Sequence, residues 1–261
     1  MGVLAWYRST GADLPFQRPV RAHPGVAMEG YFWRITDAEN GRVLIALNGV
    51  NRGPNGPWAT LGFAAEPGDF LRVAAHPTAS ADRNGVGAHA GHAFNGDARR
   101  LRVDLGTDAK LDVTISDPLP WPHRAFGGSS VFQSVPALNQ YWHPWLLGGR
   151  VNGTATVGAE TWQLRDAQIY AEKNWGREGF PDAWWWGQAQ GFAEATEAAL
   201  GMVVTQVMLT DGIAKAYRDG TARIAGEPGV REILTSTCDR RQATPQLFIV
   251  KGADWVENHA L

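Results

Sequence analysis

Residues 162–174 carry a polar pattern that an ordinary core strand does not have. Successive side chains of an extended strand point to opposite faces, so the even positions of this stretch are expected to share one face. That face would hold two carboxyls, two amides and a phenol beside two apolar side chains: Trp162, Leu164, Asp166, Gln168, Tyr170, Glu172 and Asn174. Polar groups among large aromatics suit a pocket for a mostly apolar molecule with one polar end, so the pattern predicts a cavity wall.

A second stretch of the same character follows closely. As a strand, it would place these side chains on one face: Trp184, Trp186, Gln188, Gln190 and Phe192. Its other face is mostly small, with Gly187, Ala189 and Gly191 after Trp185. The two stretches together predict two walls of one pocket.

Tryptophan is frequent and unevenly placed in this chain. Eight of the twelve tryptophans lie between Trp121 and Trp186, the segment that also carries the polar residues. A large core is the ordinary use of tryptophan, but this overlap favours a ligand cavity. Charged residues are only 19% of the chain, which favours apolar internal surface and contact with a membrane surface.

Charge, cysteine and histidine content exclude several classes of partner. The net charge is −2 and no basic run occurs, so no nucleic-acid partner is expected. Cys238 is the single cysteine and has no partner for a disulfide or a zinc site. His89 and His92 are spaced for opposite faces of a strand, so no metal site is predicted.

The sequence also sets an expectation for location. Residues 1–10 lack the basic start and the apolar run of a signal peptide. No window reaches the ~18 apolar residues that a spanning helix needs. We therefore expect a cytoplasmic protein. Peripheral contact with a membrane surface is compatible with this expectation.

Turn signals predict an all-β fold for the first two thirds of the chain. Asn-Gly, a strong hairpin signal, occurs six times, at Asn40, Asn48, Asn55, Asn84, Asn95 and Asn152. Strands are predicted over residues 29–36, 42–47 and 58–65. Alternating apolar residues in 101–105 and 111–115 predict a hairpin about Gly106 to Ala109, with one solvent-exposed face on each strand.

The stretch from Asp117 to Gly149 is rich in proline, glycine and aromatics and has no clear period. A loop of this length inside a compact domain is usually functional, so we expect a lid over the pocket. An ordered connection between two sheets is the alternative.

The motif Tyr170-Ala171-Glu172-Lys173-Asn174-Trp175-Gly176, with Phe180-Pro181 and Trp184-Trp185-Trp186 after it, resembles the signature of tocopherol cyclases. The earlier Glu29-Gly30-Tyr31-Phe32-Trp33 resembles the amino-terminal strand motif of that family, and residues 121–149 resemble it more loosely. The resemblance covers roughly residues 20–192.

The resemblance implies an all-β, lipocalin-like fold of calycin type, built from antiparallel barrel or sandwich halves around a hydrophobic pocket. It also implies closure of a chromanol ring on a prenylated hydroquinone or benzoquinol, as in vitamin E biosynthesis, without a cofactor. We expect a β-rich domain over 1–192. Residues 193–261 are atypical of the family and would be a shortened second β half.

Chromanol closure needs an acid that protonates an alkene, and two carboxyls qualify. A carboxyl in a dry aromatic pocket keeps its proton more readily, because burial disfavours the charged form. Glu172 is preferred over Asp166 because it lies within the signature motif. Tyr170 and Asn174 are expected beside Glu172, to orient the phenol or relay the leaving proton.

Several aromatic and amide residues complete the predicted site. Trp184 and Trp186 would stabilise the cation through their ring faces, and Gln188 and Gln190 would hold the quinol hydroxyls. Trp33 and Trp142 join the substrate-binding set from the two other stretches of resemblance. Lys173 receives no catalytic role, because strand parity turns it to the other face.

Each assignment has a structural alternative. Glu172 is equally suited to a buried ion pair or to bonds with backbone amides. Asp166 is also suited to a turn or bulge beside Ala167. For the whole chain, two alternatives to an enzyme are a lipocalin-like carrier of an isoprenoid or quinone and a carbohydrate-binding module with tryptophan platforms.

Overall fold

A computed structural model describes residues 2–177 of the 261-residue chain in full, and four later strands by their backbone pairing. The chain divides into two compact units, Met1–Gly179 and Phe180–Leu261. The division at residue 192 that the sequence suggests stays a prediction. Within the described residues, no helix is long and apolar enough to cross a bilayer.

The first unit is almost entirely β-structure, preceded by one short helix, α1 (Val3–Ser9). Its strands are β1 (Met28–Asp37), β2 (Arg42–Gly53), β3 (Gly56–Glu66), β4 (Phe70–His76), β5 (Ser80–Ala81), β6 (Gly87–Ala90), β7 (Phe94–Asp97), β8 (Arg100–Asp104), β9 (Ala109–Pro120), β10 (Tyr141–Val157) and β11 (Glu160–Gly176). They form one antiparallel sheet in the order β4-β3-β2-β1-β11-β10-β9-β8-β7-β6-β5. The prediction of an all-β fold is confirmed.

Most connections are short hairpins between neighbouring strands, as the turn signals predict. The first three strands lie where the turn signals and composition predict them, and the β8–β9 hairpin lies where the alternation predicts it. Not every Asn-Gly pair makes a turn. Asn40 and Asn55 lie at hairpin turns, whereas Asn48, Asn95 and Asn152 lie inside strands, so the turn prediction is wrong at these three positions.

The sheet curves around its main apolar core. Trp33 of β1 packs against Phe94 of β7, with ring centroids 5.6 Å apart, although four strands separate β1 from β7 in the sheet. Trp145 of β10 meets the same Trp33 ring edge-on at 6.2 Å. Gly96 lies beneath that ring, and a Cβ there would stand 2.8 Å from Trp33 Cη2. We call the side of the sheet that carries Trp33 the core face.

A β-bulge at Asp166 changes which residues of β11 point to the core face. Val151 pairs with Ala167 and Gly153 pairs with Leu164. One residue of β10 between these pairs therefore lies opposite two residues of β11. Asp166 takes the left-handed conformation, with φ 52°. Its N–H donates to Asn152 Oδ1 at 3.0 Å, which fixes the extra residue in place.

The bulge corrects the prediction that seven even-numbered residues share one face. Before it, Trp162 and Leu164 belong to the core; after it, the core receives Ala167, Ile169 and Ala171. The parity therefore reverses, and four predicted residues remain together on the other side: Gln168, Tyr170, Glu172 and Asn174. We call that side the Glu172 face.

Two segments outside the strands lie together at the end of the sheet where β1 begins and β11 ends. They are residues 2–26 and residues 121–140, and we call them the cap. Backbone bonds join them: Asp13 N–H to Gln133 O at 2.9 Å, Phe16 N–H to Ala125 O at 2.9 Å and Ala137 N–H to Thr10 O at 3.1 Å. Trp175 Nε1–H donates to Gly11 O at 2.7 Å, which ties the cap to β11.

The cap bears on the role expected for residues 117–149. Residues 121–140 connect β9 and β10, which are neighbours in one sheet, so the alternative of a connection between two sheets is wrong. Their use as a lid stays a prediction.

The second unit is described by two strand pairs only. β12 (Trp184–Gln190) pairs antiparallel with β13 (Ala199–Thr205), and β14 (Gln246–Lys251) pairs with β15 (Asp254–Ala260). The strand predicted over residues 184–192 is therefore present in its first seven residues.

Candidate functional site

Two neighbouring strands bring the two sequence motifs together. β1 and β11 run antiparallel, with Trp33 opposite Ala171, Tyr31 opposite Lys173 and Glu29 opposite Trp175. Directly opposed residues share a face. Glu29, Tyr31, Lys173 and Trp175 therefore lie on the core side of the sheet, whereas Glu172 projects from the Glu172 face.

Glu172 is buried and bonded to the phenol predicted to act with it. The Tyr170 hydroxyl donates to Glu172 Oε2 at 2.6 Å, and both residues are withdrawn from solvent. The two side chains stand two residues apart on one strand, which places them side by side. The phenol thus fixes the orientation of the carboxyl.

Asn174 and Trp142 lie on the same face, one step nearer the cap. They are directly opposed across β10 and β11. Asn174 Oδ1 and Trp142 Nε1 are buried polar atoms without a hydrogen-bond partner among the residues that the structure describes. An acceptor and a donor are thus available to a hydroxyl-bearing molecule beside Glu172.

Arg34 is a further group on this face that the sequence analysis missed. It is opposed to Tyr170 across β1 and β11, and its Nη1–H donates to Thr36 Oγ1 at 2.7 Å. Burial lowers the pKa of Arg34 to about 9. An arginine between apolar neighbours in a strand is the signal that could have pointed to it.

Two predicted site residues are placed differently from expectation. Asp166 has three quarters of its side chain in solvent and serves as the bulge residue, which is the alternative reading of it. Trp33 is fully buried on the core face, where it packs with Phe94 and Trp145, because its parity on β1 is opposite to that of Phe32. Asp166 and Trp33 therefore lie outside the site. Gln168, predicted for the same wall as Tyr170, keeps that face and is half-buried next to the bulge.

Four predicted residues lie on β12, and the structure describes only the backbone of that strand. The side chains of Trp184, Trp186, Gln188 and Gln190 are outside the described residues, and their roles stay predictions.

A buried ionic cluster lies on the core side, beneath the cap, and no sequence argument found it. Lys173 Nζ lies 2.7 Å from Glu29 Oε2, and both side chains are buried. Nζ also donates to Arg21 O at 2.8 Å and to His23 Nδ1 at 2.9 Å. The ammonium stands 4.9 Å from the centre of the Trp175 ring, within cation–π range. Burial lowers the pKa of Lys173 to about 8, although Glu29 acts in the opposite direction.

The hydrogen bonds of His23 define its tautomer. Lys173 has only donors, so Nδ1 must accept, and the proton lies on Nε2, which donates to Asp13 Oδ2 at 3.0 Å. The ring stacks flat on Trp175, with centroids 4.5 Å apart. Burial, and then the positive charge of Lys173, hold the pKa of His23 well below its usual value. His23 is thus a neutral imidazole within the cluster.

Asp13 links the cluster to both segments of the cap. Its carboxylate pairs with Arg8, and Gln133 Nε2–H donates to Asp13 Oδ2 at 3.0 Å. The side-chain oxygen of Gln133 accepts from Gly127 N–H at 2.7 Å. Glu29 and Lys173 belong to the two sequence motifs, but their pairing becomes visible only from the strand register.

We expect the neutral state of His23 to make the fold sensitive to acid. The unfolded chain binds a proton at this histidine below pH 6.5, whereas the folded chain resists it. Stability is therefore complete above that pH and falls as the pH is lowered, by about 1 kcal/mol per pH unit. Thermal unfolding between neutral and mildly acidic pH should show a smaller loss for His23→Gln than for the wild type. Parallel pH profiles would contradict this assignment.

Comparison with known proteins points to one family. Residues 98–211 match the family described as Tocopherol cyclase-like. A probable chloroplastic tocopherol cyclase from Oryza sativa subsp. japonica is 36% identical over 68 residues, which are 26% of this chain and 14% of the rice protein. The matched region is thus about a seventh of the length of the rice protein.

Two solved structures resemble the chain at low identity. One is a protein assigned as AttH from Nitrosomonas europaea, with a TM-score of 0.45 and 14% identity over 76% of this chain and 67% of that chain. The other is kievitone hydratase from Nectria haematococca, with a TM-score of 0.45 and 12% identity over 91% of this chain and 65% of that chain.

The resemblance seen in the sequence is thus confirmed, and its matched segment contains the bulge, Tyr170, Glu172 and Lys173. Residues 98–211 are similar to the tocopherol cyclase-like family.

Proposed function

We propose that the protein is a tocopherol cyclase-like enzyme that closes a chromanol ring on a prenylated hydroquinone, with Glu172 as the acid. The observation that carries the proposal is the buried Glu172 carboxyl bonded to Tyr170, on the face that also holds the unpartnered Asn174 Oδ1 and Trp142 Nε1. A dry carboxyl beside an acceptor and a donor suits a substrate that pairs an apolar chain with a phenolic ring.

The reaction is an isomerisation and balances without a co-reactant. The Glu172 carboxyl gives its proton to the less substituted carbon of the prenyl double bond, and the tertiary carbon becomes cationic. The phenol oxygen of the substrate attacks that carbon, forms the C–O bond of the new ring and loses its proton. That proton returns to the carboxylate, and the enzyme is ready for the next turnover.

The neighbours of Glu172 supply orientation. The Tyr170 hydroxyl donates to Oε2 and so fixes the plane of the carboxyl that carries the reacting proton. Asn174 Oδ1 is suited to accept from a quinol hydroxyl, and Trp142 Nε1–H to donate to one. The hydroxyl-binding groups would thus fix the ring while the acid acts on the chain.

A carrier that binds an isoprenoid or quinone without changing it is the alternative. It would use the same face, but it would gain nothing from a buried carboxyl. An ionised carboxylate is costly to bury, so a pure binder is better served by an amide or an apolar residue. The buried carboxyl therefore favours the enzyme.

The test is incubation of the purified protein with a prenylated methyl-benzoquinol. Cyclisation leaves the mass unchanged but alters chromatographic retention and ultraviolet absorbance, so a product of equal mass and new retention supports the cyclase. Saturable quenching of tryptophan fluorescence without product supports the carrier instead. Absence of both product and binding would contradict either use of this face.

A further inference from the structure

The cap exposes eight large apolar side chains, which we call the cap surface. They are Val3, Leu4, Trp6, Leu14, Phe16, Val131, Phe132 and Val135. Scattered single hydrophobics are ordinary on a protein surface, whereas a group of this kind marks a binding surface.

Hydrogen bonds bring these residues together although they come from distant parts of the chain. The Tyr7 hydroxyl of α1 donates to Ser134 O, at the end of the 3₁₀ turn Ser130–Ser134 that carries Val131 and Phe132. The backbone of Phe16 is bonded to Ala125 O in the same segment. The helix and the 3₁₀ turn thus lie side by side.

The exposed charges of the two cap segments are cationic. Arg18 and Arg124 are exposed within the two cap segments. The only carboxylate of these segments is that of Asp13, which is buried and paired with Arg8. The surface is therefore apolar and cationic on a chain whose net charge is −2.

The backbone conformation of Phe16 is a second sign of a binding role. Phe16 has φ 67°, in the left-handed region that a bulky residue rarely adopts, and 74% of it is exposed. Such a conformation is unfavourable for a bulky residue and persists where the surroundings impose it. Here it holds an aromatic ring in water, which is unfavourable until a partner covers the ring.

We propose that the cap surface docks the protein onto an anionic lipid bilayer. Aromatic and aliphatic side chains enter the interface between headgroups and acyl chains, and arginines pair with anionic headgroups. A second copy of the chain fits less well, because a symmetric contact would bring Arg18 and Arg124 against the same two cations. The proposal does not depend on the chemistry at Glu172.

The test is flotation with vesicles of phosphatidylcholine alone and with phosphatidylglycerol added. The full-length protein should float with the anionic vesicles, and high salt should weaken the binding, because it screens the arginines. The double variant Phe16→Ser/Phe132→Ser should bind at least about tenfold more weakly. Arg18→Glu/Arg124→Glu should lose the preference for phosphatidylglycerol.

A matched control is available on β4, far along the sheet from the cap in strand order. Leu71 and Val73 are also exposed apolar residues, so Leu71→Ser/Val73→Ser should leave vesicle binding unchanged. The proposal is overturned if the wild type does not float with anionic vesicles, or if the β4 variant loses as much binding as the cap variant. It is equally overturned if the wild type forms a dimer without lipid that Phe16→Ser/Phe132→Ser abolishes while vesicle binding is absent.

Discussion

Replacing Lys173 by methionine is expected to destabilise the fold by about 3–5 kcal/mol, because it leaves Glu29 buried without its cation. The pair is 2.7 Å apart and shielded from solvent on both sides, so water cannot compensate for the lost charge. Methionine fills a similar volume, which limits the contribution of a cavity to the loss. Urea unfolding followed by circular dichroism measures the effect.

Two further variants separate this cause from a general loss of packing. Lys110 and Asp104 form an ion pair that is nearly half exposed, so Lys110→Met should cost less than about 1 kcal/mol. Glu29→Gln added to Lys173→Met removes the buried charge and should recover much of the stability. A single Lys173→Met variant as stable as Lys110→Met would refute the account of the cluster.

The second large effect is expected on turnover. Glu172→Gln keeps the size and the hydrogen-bonding capacity of the side chain but removes its acidic proton. General acid catalysis contributes about 10²–10⁴-fold, and the variant should lose an amount in this range. Binding of the prenylated quinol should change little, because an amide still contacts Tyr170. Initial rates of ring closure measure the first effect, and tryptophan quenching measures the second.

The same strand provides the control for this experiment. Asp166 is a carboxyl only six residues earlier, but it lies exposed at the bulge. Asp166→Asn should keep full turnover, since asparagine also tolerates the left-handed conformation. If Asp166→Asn lost activity and Glu172→Gln retained it, the acid would have been assigned to the wrong carboxyl.

The strands of the first unit could be predicted from the sequence because their signals are local. In 101–105 and 111–115 alternation alone placed Leu101, Val103, Leu111 and Val113 in the core, and all four are buried there. Each strand meets a neighbour in sequence through a short turn. No long-range information is needed to recognise such a hairpin.

The faces of β11 could not be predicted in the same way. One residue in the left-handed conformation reverses the alternation, and Asp is a residue type that adopts it without a distinctive sequence signal. The local assignment of Tyr170, Glu172 and Asn174 to one face was correct, because all three follow the bulge. The error arose only where the pattern was extended across Asp166 to Trp162.

The ionic cluster could not be predicted from the sequence for a different reason. His23 and Lys173 are 150 residues apart in sequence and meet only when the cap folds against β11. Strand parity correctly separated Lys173 from Glu172. It did not indicate that the side chain of Lys173 would contact a carboxylate and an imidazole at the end of the core.

The bulge at Asp166 also limits how the length of β11 can vary. A strand of the same length without the bulge would bring Glu172 and Tyr170 to the apolar core and expel Lys173 from its ionic partners. Removing Asp166 itself would leave Leu164 and Ala167 on the core face, so the motif would keep its orientation. A residue inserted between the bulge and Tyr170 would invert the motif, whereas two would preserve its orientation. A graft of residues 170–176 into another sheet must therefore set the register of the recipient strand, because the motif alone does not determine which way its carboxyl faces.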